Sequence, residues 1–554
     1  MTRGRLLIAA LVLALIAAFF VLGLDSPGDI LSPGLIISIA LIGLLPLLAP
    51  RAAGWLKARR ALRGHARPQR FDRNLVVIGA GSAGLVSAYL AAAMKARVTL
   101  IERHRMGGDC LNTGCVPSKA LIRSARFVAQ TRRARDYGMK SASVEFDFAD
   151  VMERVQEVIR RIEPHDSVER YTRLGVECIE GQARIASPWS VEVGGRSLTT
   201  RAIVIATGGA PFVPPIPGLN TAGYLTSESI WSLRELPRRL TVLGGGPIGC
   251  ELAQSFARLG SDVTIVEQAP RLLMREDEDV SERLLAALRA EGVDVRAGHR
   301  ALECLVEGNA KTLVCERSGE QVRIGFDALL VAVGRTAVTD GLGIEALGIG
   351  LNERGNIEHD AFLRTAVPNI LVCGDVAGPY QFTHTASHEA WYATLNALFG
   401  HLWRFKADYS VIPWCTFTEP EIATVGLNEL AAKERGVDYE LTEYDLADLD
   451  RAIADGEARG IVKVLTAPGR DRILGASIVG DHAGELITEF VTAMRHGLGL
   501  GKILGTIHVY PTLSEANKNA AGAWRRAHAP VRMMPWLARY HAWRRSGGLK
   551  GNGG

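Results

Sequence analysis

The chain has 554 residues, with 64 Lys and Arg against 59 Asp and Glu for a formal net charge of +5; 47% of the residues are hydrophobic and 22% charged. This balance excludes a disordered or collagen-like chain, and eight cysteines over this length exclude a disulfide-stapled secreted scaffold. The length accommodates about three or four domains.

The first fifty residues differ from the rest. Residues 6–24 are an unbroken apolar run, Asp25-Ser-Pro-Gly-Asp29 interrupts it, and residues 30–49 are a second run. At 1.5 Å per residue each run would span roughly 30 Å, the thickness of a bilayer core. A cleaved signal peptide is the competing reading, but its apolar stretch is about 7–15 residues long and ends in small residues. Residues 1–50 are therefore expected to form two transmembrane helices. Arg3 and Arg5 precede the first run and eight basic residues from Arg51 to Arg73 follow the second, whereas the turn carries only Asp25 and Asp29. Positive flanks stay inside. The expected placement is a multi-pass protein of the inner (cytoplasmic) membrane, with the catalytic domain facing the cytoplasm and 51–72 as a basic juxtamembrane linker.

Beyond the linker, Leu75-Val-Val-Ile78 predicts a strand that ends in Gly79-Ala-Gly81-Ser-Ala-Gly84. A helical pattern and a second strand closed by Glu102 complete a βαβ unit. The pattern recurs at Leu240-Thr-Val-Leu243, Gly244-Gly-Gly246-Pro-Ile-Gly249 and a strand closed by Glu267, with the first glycine and the closing acid each displaced by 165 residues. In such a unit the first glycine permits the tight turn, the second lets backbone approach a pyrophosphate and the third lets helix and strand pack. The helix N-terminus faces the phosphates and the acid accepts ribose hydroxyls. A lone glycine-rich turn is weak evidence, but strand, helix, acid and repeat together point to two dinucleotides. Further apolar strands end in Thr207-Gly208-Gly209, Val333-Gly334-Arg335 and Cys373-Gly374-Asp375. From about residue 410 short strands (422–425, 460–465 and 473–479) alternate with helices, which reads as a separate α+β domain.

Six cysteines are scattered and read as small apolar residues. Cys110 and Cys115 form a close pair in GGDCLNTGCVPSK, ahead of a helical pattern. Thiols near a helix N-terminus sit in a positive potential that favours the thiolate. A structural zinc half-site would need a second pair of ligands at similar spacing, and the sequence has none, so the pair reads as redox chemistry.

This segment resembles the active-site segment of the class I pyridine nucleotide–disulfide oxidoreductases, which include glutathione reductase, dihydrolipoamide dehydrogenase and mercuric reductase. The resemblance covers about residues 73–524 and its motifs stand in the family order. It implies an α/β fold with two Rossmann-like dinucleotide-binding domains and an α+β dimerisation domain. Residues 73–225 and 346–410 would form the FAD-binding domain, 226–345 the NAD(P)-binding domain and 411–524 the dimerisation domain of a homodimer. By resemblance Gly79, Gly81, Gly84, Glu102, Thr207, Gly208 and Asp375 serve FAD, and Gly244, Gly246, Gly249, Glu267 and Gly334 serve NAD(P). Cys115 would be the thiol in charge-transfer contact with flavin and Cys110 the interchange thiol, with Lys119 beside the flavin and Glu251 paired to it. Glu267 favours a free ribose 2′-hydroxyl, so NADH is favoured over NADPH.

One departure bears on the acceptor. The disulfide reductases carry a histidine directly before Pro-Thr, with a glutamate five residues on. Here the position is Tyr510, in HVYPTLSE, with Glu515 retained. A phenol with a pKa of about 10 is a poor base at neutral pH. A tyrosine here is similar to mercuric reductase, although the cysteine pair at the extreme C-terminus of that enzyme has no counterpart. Packing in a dimer interface is the competing reading of Tyr510. The reading closest to these features is a mercuric-reductase-like or dihydrolipoamide-dehydrogenase-like membrane flavoprotein. Its acceptor would be a disulfide or a thiol-bound metal such as Hg(II), with no resident metal site. The alternatives are a membrane NADH dehydrogenase that reduces quinone and a non-catalytic membrane redox sensor.

Residues 525–554 are basic and aromatic, and read either as a solvated tail or as a contact for anionic lipid. They carry +7 and residues 51–73 carry another +7, which leaves −9 on residues 74–524. The basic balance therefore belongs to the flanks, and no nucleic-acid partner is expected.

Overall fold

The computed structural model describes residues 62–546. The two apolar runs expected as transmembrane helices, at 1–50, lie outside the described residues, as does most of the 51–72 linker.

Three large sheets, one per domain, organise the rest. In the first, strands Val176–Glu180, Val98–Glu102, Arg73–Ile78 and Arg196–Ile205 lie side by side in parallel, with Ile370–Val372 pairing parallel beyond Arg196–Ile205. The central strand is buried from Leu75 to Ile78, as expected where helices or loops cover both faces. One face packs against helices Ser82–Ala93 and Thr383–Phe399. The other is closed by the antiparallel strands Arg184–Ser187 and Ser190–Val193 and by apolar residues from Leu342 to Ile357.

The second sheet is wholly parallel, in the order Asp294–Ala297, Asp262–Glu267, Arg239–Leu243, Ala328–Val331, Leu225–Thr226. Beside it lies an antiparallel sheet of Arg300–Glu307, Ala310–Arg317 and Glu320–Phe326. The third sheet is antiparallel, in the order Pro413–Thr416, Glu421–Gly426, Ile473–Gly480, Ile461–Thr466, Glu440–Asp445, with helices Ala483–Arg495 and Glu515–Ala527 on its core face. The buried Lys463 of this sheet bonds Asp277 and Asp279 of the second domain together with Glu429. Chain passage between the first two domains is pinned by a two-stranded antiparallel ribbon, Gly209–Pro211 against Arg335–Ala337.

The basic segment after Trp524 is not a featureless tail. Residues 534–545 form the helix Met534–Arg545, which buries none of its residues. Among the described residues no helix is long and apolar enough to cross a membrane.

Both glycine-rich turns are held by the same contacts. Gly79 has φ +100°, and a Cβ there would lie 2.4 Å from the Ala206 carbonyl oxygen. A Cβ on Gly84 would lie 1.8 Å from the Gly79 carbonyl oxygen, so only glycine lets the helix follow the strand this closely. Gly244 and Gly249 repeat the arrangement. The middle glycines differ: a Cβ on Gly81 would meet nothing closer than 3.9 Å, and one on Gly246 nothing within 4 Å. Gly84→Ala should therefore lower stability by about 1–3 kcal/mol, and Gly81→Ala by less. Urea unfolding of the two variants ranks them, and equal losses would remove the packing argument.

Candidate active site

The three domains meet at a cleft of about 2000 Å³ that runs from the first glycine turn past the cysteine pair to the second. Every residue expected at the cofactor and thiol sites lines it except Gly84 and Gly249, which pack inside their turns, and Tyr510 and Glu515.

The cysteine loop rests directly on the first dinucleotide turn, since a Cβ on Gly108 would lie 2.6 Å from the Gly81 Cα. Cys110 sits in the short helix Gly108–Asn112, and Cys115 is the first residue of the helix Cys115–Arg132. That position gives Cys115 the positive end of a long helix. Thr383, the first residue of Thr383–Phe399, faces it with Oγ1 3.3 Å from the Cys115 Sγ. The hydrogen bond from Cys110, with help from Thr383 and the Lys119 charge, holds the Cys115 thiol below its ordinary range. The same bond to Cys115, together with burial, pushes Cys110 up. One thiol is poised to ionise while its neighbour keeps its proton.

One turn along the same helix, Lys119 Nζ donates to Glu251 Oε2 at 2.9 Å and lies 4.2 Å from the centre of the Phe417 ring. The other Glu251 oxygen accepts the Phe417 backbone N–H at 2.9 Å. Glu251 belongs to the helix of the second glycine turn, so this buried carboxylate joins all three domains at the cleft.

Glu102 and Glu267 occupy equivalent places. Glu102 accepts backbone N–H bonds from Ala80 (2.7 Å) and His104 (2.8 Å), and Glu267 accepts them from Gly245 (2.6 Å) and Ala269 (2.6 Å). Each oxygen keeps a lone pair for a hydroxyl donor. With the open space at Gly81 and Gly246, both turns fit a dinucleotide. Arg271 donates to the carbonyls of Leu273 (3.3 Å) and Met274 (3.2 Å) in its own loop and does not line the cleft.

Several site residues were not expected from the sequence. Arg335 contacts the cysteine loop, Thr383 faces Cys115, and Trp231 donates its indole N–H to the Thr113 carbonyl at 2.7 Å. Glu389, buried in the helix Thr383–Phe399, accepts the Gly374 N–H (2.7 Å) and the Tyr409 hydroxyl (2.9 Å) beside Asp375. The only sequence signal for any of these was the Gly-Arg turn at 334–335. The others are brought in by folding from far along the chain.

Tyr510 and Glu515 are not brought to the cleft of their own chain. Tyr510 is 67% exposed and its hydroxyl donates to Asp450 Oδ2 at 3.0 Å, a bond that raises its pKa. The adjacent Ile507 and Val509 are also exposed, whereas His508 pairs with Glu489 at 3.0 Å.

Burial pushes the Glu389 carboxyl up to about 8, while in the unfolded chain it ionises near ~4.3. The folded state then holds an extra proton between these values, so stability present in acid is lost as pH rises towards 8. Glu389→Gln, whose amide oxygen can accept the Gly374 N–H while its NH2 donates to the Tyr409 hydroxyl, should stabilise the protein at pH 8.5 and leave it near wild type at pH 4. Urea unfolding at the two pH values checks this; an equal effect at both would contradict it.

The family model described as pyridine nucleotide-disulphide oxidoreductase matches residues 73–390, and the dimerisation domain of the same family matches residues 412–521. A mercuric reductase of Streptomyces lividans is 36% identical over 81% of this chain and 95% of its own. A dihydrolipoyl dehydrogenase of Chlamydia muridarum is 34% identical over 83% of this chain and 98% of its own. The HOCl-induced flavoprotein disulfide reductase RclA from Escherichia coli, solved as a Cu(II) complex, superimposes with a TM-score of 0.72 at 32% identity, over 80% of this chain and 99% of RclA. These proteins are matched almost end to end by about four-fifths of this chain, and so carry no counterpart of a two-span anchor. On that comparison the expected placement as a multi-pass inner-membrane protein is corrected and does not stand. The chain belongs to the pyridine nucleotide-disulphide oxidoreductase family, with the α/β dinucleotide-binding domains and C-terminal dimerisation domain of its class I members.

Proposed function

We propose that the chain is an NADH-dependent flavoprotein reductase that passes two electrons through the Cys110–Cys115 pair to a thiol-bound metal ion such as Hg(II). The observation that carries this reading is the unequal pair of thiols in a cleft shared with two dinucleotide turns. FAD on the turn at Gly79 would supply the chemistry that converts hydride transfer from NADH into reduction of a disulfide.

The protein's own groups have the following roles in this reading. The open glycine positions and helix N-termini bind the pyrophosphates, and Glu102 and Glu267 hold the ribose hydroxyls. Glu267 repels a 2′-phosphate, and Arg271, engaged by its own loop, is not in the cleft to offset that repulsion. Lys119 supplies positive charge beside Cys115, and Glu251 fixes where that charge sits. In the reductive half, NADH, a proton and the disulfide give NAD+ and the dithiol. In the oxidative half, both thiols bind Hg(II), their two protons leave, the disulfide re-forms and Hg(0) departs.

A metal acceptor is favoured over an organic disulfide by the group at position 510. A disulfide substrate needs a base to move protons between thiols, and a phenol with a raised pKa does not serve near neutrality. A soft metal ion needs thiolates instead, which the lowered Cys115 provides. The likeness to mercuric reductases and to RclA, solved with Cu(II), is compatible with a metal acceptor, as the likeness to dihydrolipoyl dehydrogenases is with a disulfide, so the choice rests on position 510. The dimerisation domain supports a homodimer in which Tyr510 and Glu515 serve the cleft of the other subunit.

The test is anaerobic reduction of the purified FAD form by NADH, followed by an acceptor screen with Hg(II), Cu(II) and small disulfides. Two-electron reduction should give a long-wavelength thiolate–flavin band that Cys115→Ser abolishes, and Hg(II) should reoxidise the enzyme faster than disulfides do. A band that persists in Cys115→Ser would overturn the thiol assignment. Faster turnover with disulfides would overturn the choice of acceptor.

A further inference from the structure

Arg335 is the first residue of the strand by which the chain returns from the second domain, and its side chain is only 12% exposed. It makes three contacts. Its Nη2 pairs with Asp109 Oδ2 at 3.0 Å and donates to the Gly209 carbonyl at 2.6 Å, and its Nε lies 3.5 Å from Asp375 Oδ2. Asp109 directly precedes Cys110. Its other carboxylate oxygen accepts the Thr113 hydroxyl at 2.5 Å, and its backbone carbonyl accepts the N–H groups of Thr113 (2.9 Å) and Gly114 (2.6 Å). The carboxylate lies so close to Gly114 that a Cβ there would be 3.2 Å from Oδ2. The loop between the two cysteines is thus wrapped around Asp109.

We propose that Asp109 is a positioning residue for the cysteine pair: through Arg335 it ties the redox loop to the ribbon between the two dinucleotide domains, and it places a carboxylate against the turn that leads into Cys115. This rests on the reading of the pair as redox-active. Both carboxylates, Asp109 and Asp375, are shared by the single Arg335 guanidinium. The groups that act on Cys115 are Cys110 and Asp109 on the loop, Lys119 on its own helix and Thr383 from the facing helix. Lys119 favours the thiolate and Asp109 opposes it. Asp109 therefore adds to the burial that opposes ionisation of Cys115, against Cys110, Thr383 and Lys119, which favour it.

The test is a pH titration of the thiolate–flavin band in two-electron-reduced holoenzyme. Asp109→Asn keeps the shape and the backbone bonds but removes the charge. The pH at which half the band is lost should fall by about 0.5–1 unit, the scale of one nearby charge. Thr113→Val removes only the hydroxyl contact and should leave that pH at the wild-type value. A wild-type midpoint in Asp109→Asn would overturn the proposal, as would an equal shift in Thr113→Val, which would trace the effect to loop shape. Absence of the band from the wild-type enzyme would overturn the redox reading itself, and this inference with it.

Discussion

The charge pair of Lys119 and Glu251 sets the terms for the rest of the cleft. A buried carboxylate without a partner would cost several kcal/mol. Glu251 avoids this only because Lys119 arrives from the first domain and the Phe417 N–H from the third. The satisfied state of one side chain therefore requires that all three domains be docked. The same helix extends the arrangement: Arg126 pairs with Glu419 and Asp481, and Arg132 donates to the Arg258 carbonyl. Arg258 in turn pairs with Glu291 and Glu419. A helix tied at these points cannot shift along its axis without leaving buried charges unpaired.

That rigidity matters because the first residue of the helix is Cys115. Chemistry at a thiol depends on where the sulfur sits and on the field around it. Docking supplies both: the helix terminus and Lys119 come from its own element, and Thr383 from an element 268 residues further along the chain. The parallel sheets play a supporting part. They end their strands at one edge, where the glycine turns, the acids and the cysteine loop can face a common space.

Much of this was legible in the sequence because the motifs are local. A glycine turn needs its strand, helix and acid within about thirty residues, so Gly79 to Glu102 and Gly244 to Glu267 could be read directly, as could the cysteine pair and the helix behind it. What could not be read were contacts made by distant segments through ordinary residue types. Thr383, Trp231 and Glu389 look like any threonine, tryptophan or glutamate until the chain closes around them. Asp109 was visible inside the cysteine motif, but its partner Arg335 is 226 residues away. The apolar runs at 1–50 show the opposite problem. Hydropathy and length made a clear membrane signal there, yet the relatives matched almost end to end carry no counterpart of it. The basic segment after Trp524, read as a solvated tail or a lipid contact, includes the helix Met534–Arg545, whose aromatic residues Trp536 and Trp543 stand exposed.

The bracing of the two turns by Glu102 and Glu267 has a consequence for how such an enzyme could change. Each carboxylate is the clasp that gathers backbone N–H groups at its turn, and in the function proposed above it is also the ribose acceptor. Evolution cannot exchange the acid for a neutral or basic residue to welcome a phosphorylated nucleotide without also loosening the loop that receives it. Coenzyme preference and turn rigidity are thus inherited together, and a lineage that switched coenzyme would need a second substitution to re-clasp the turn.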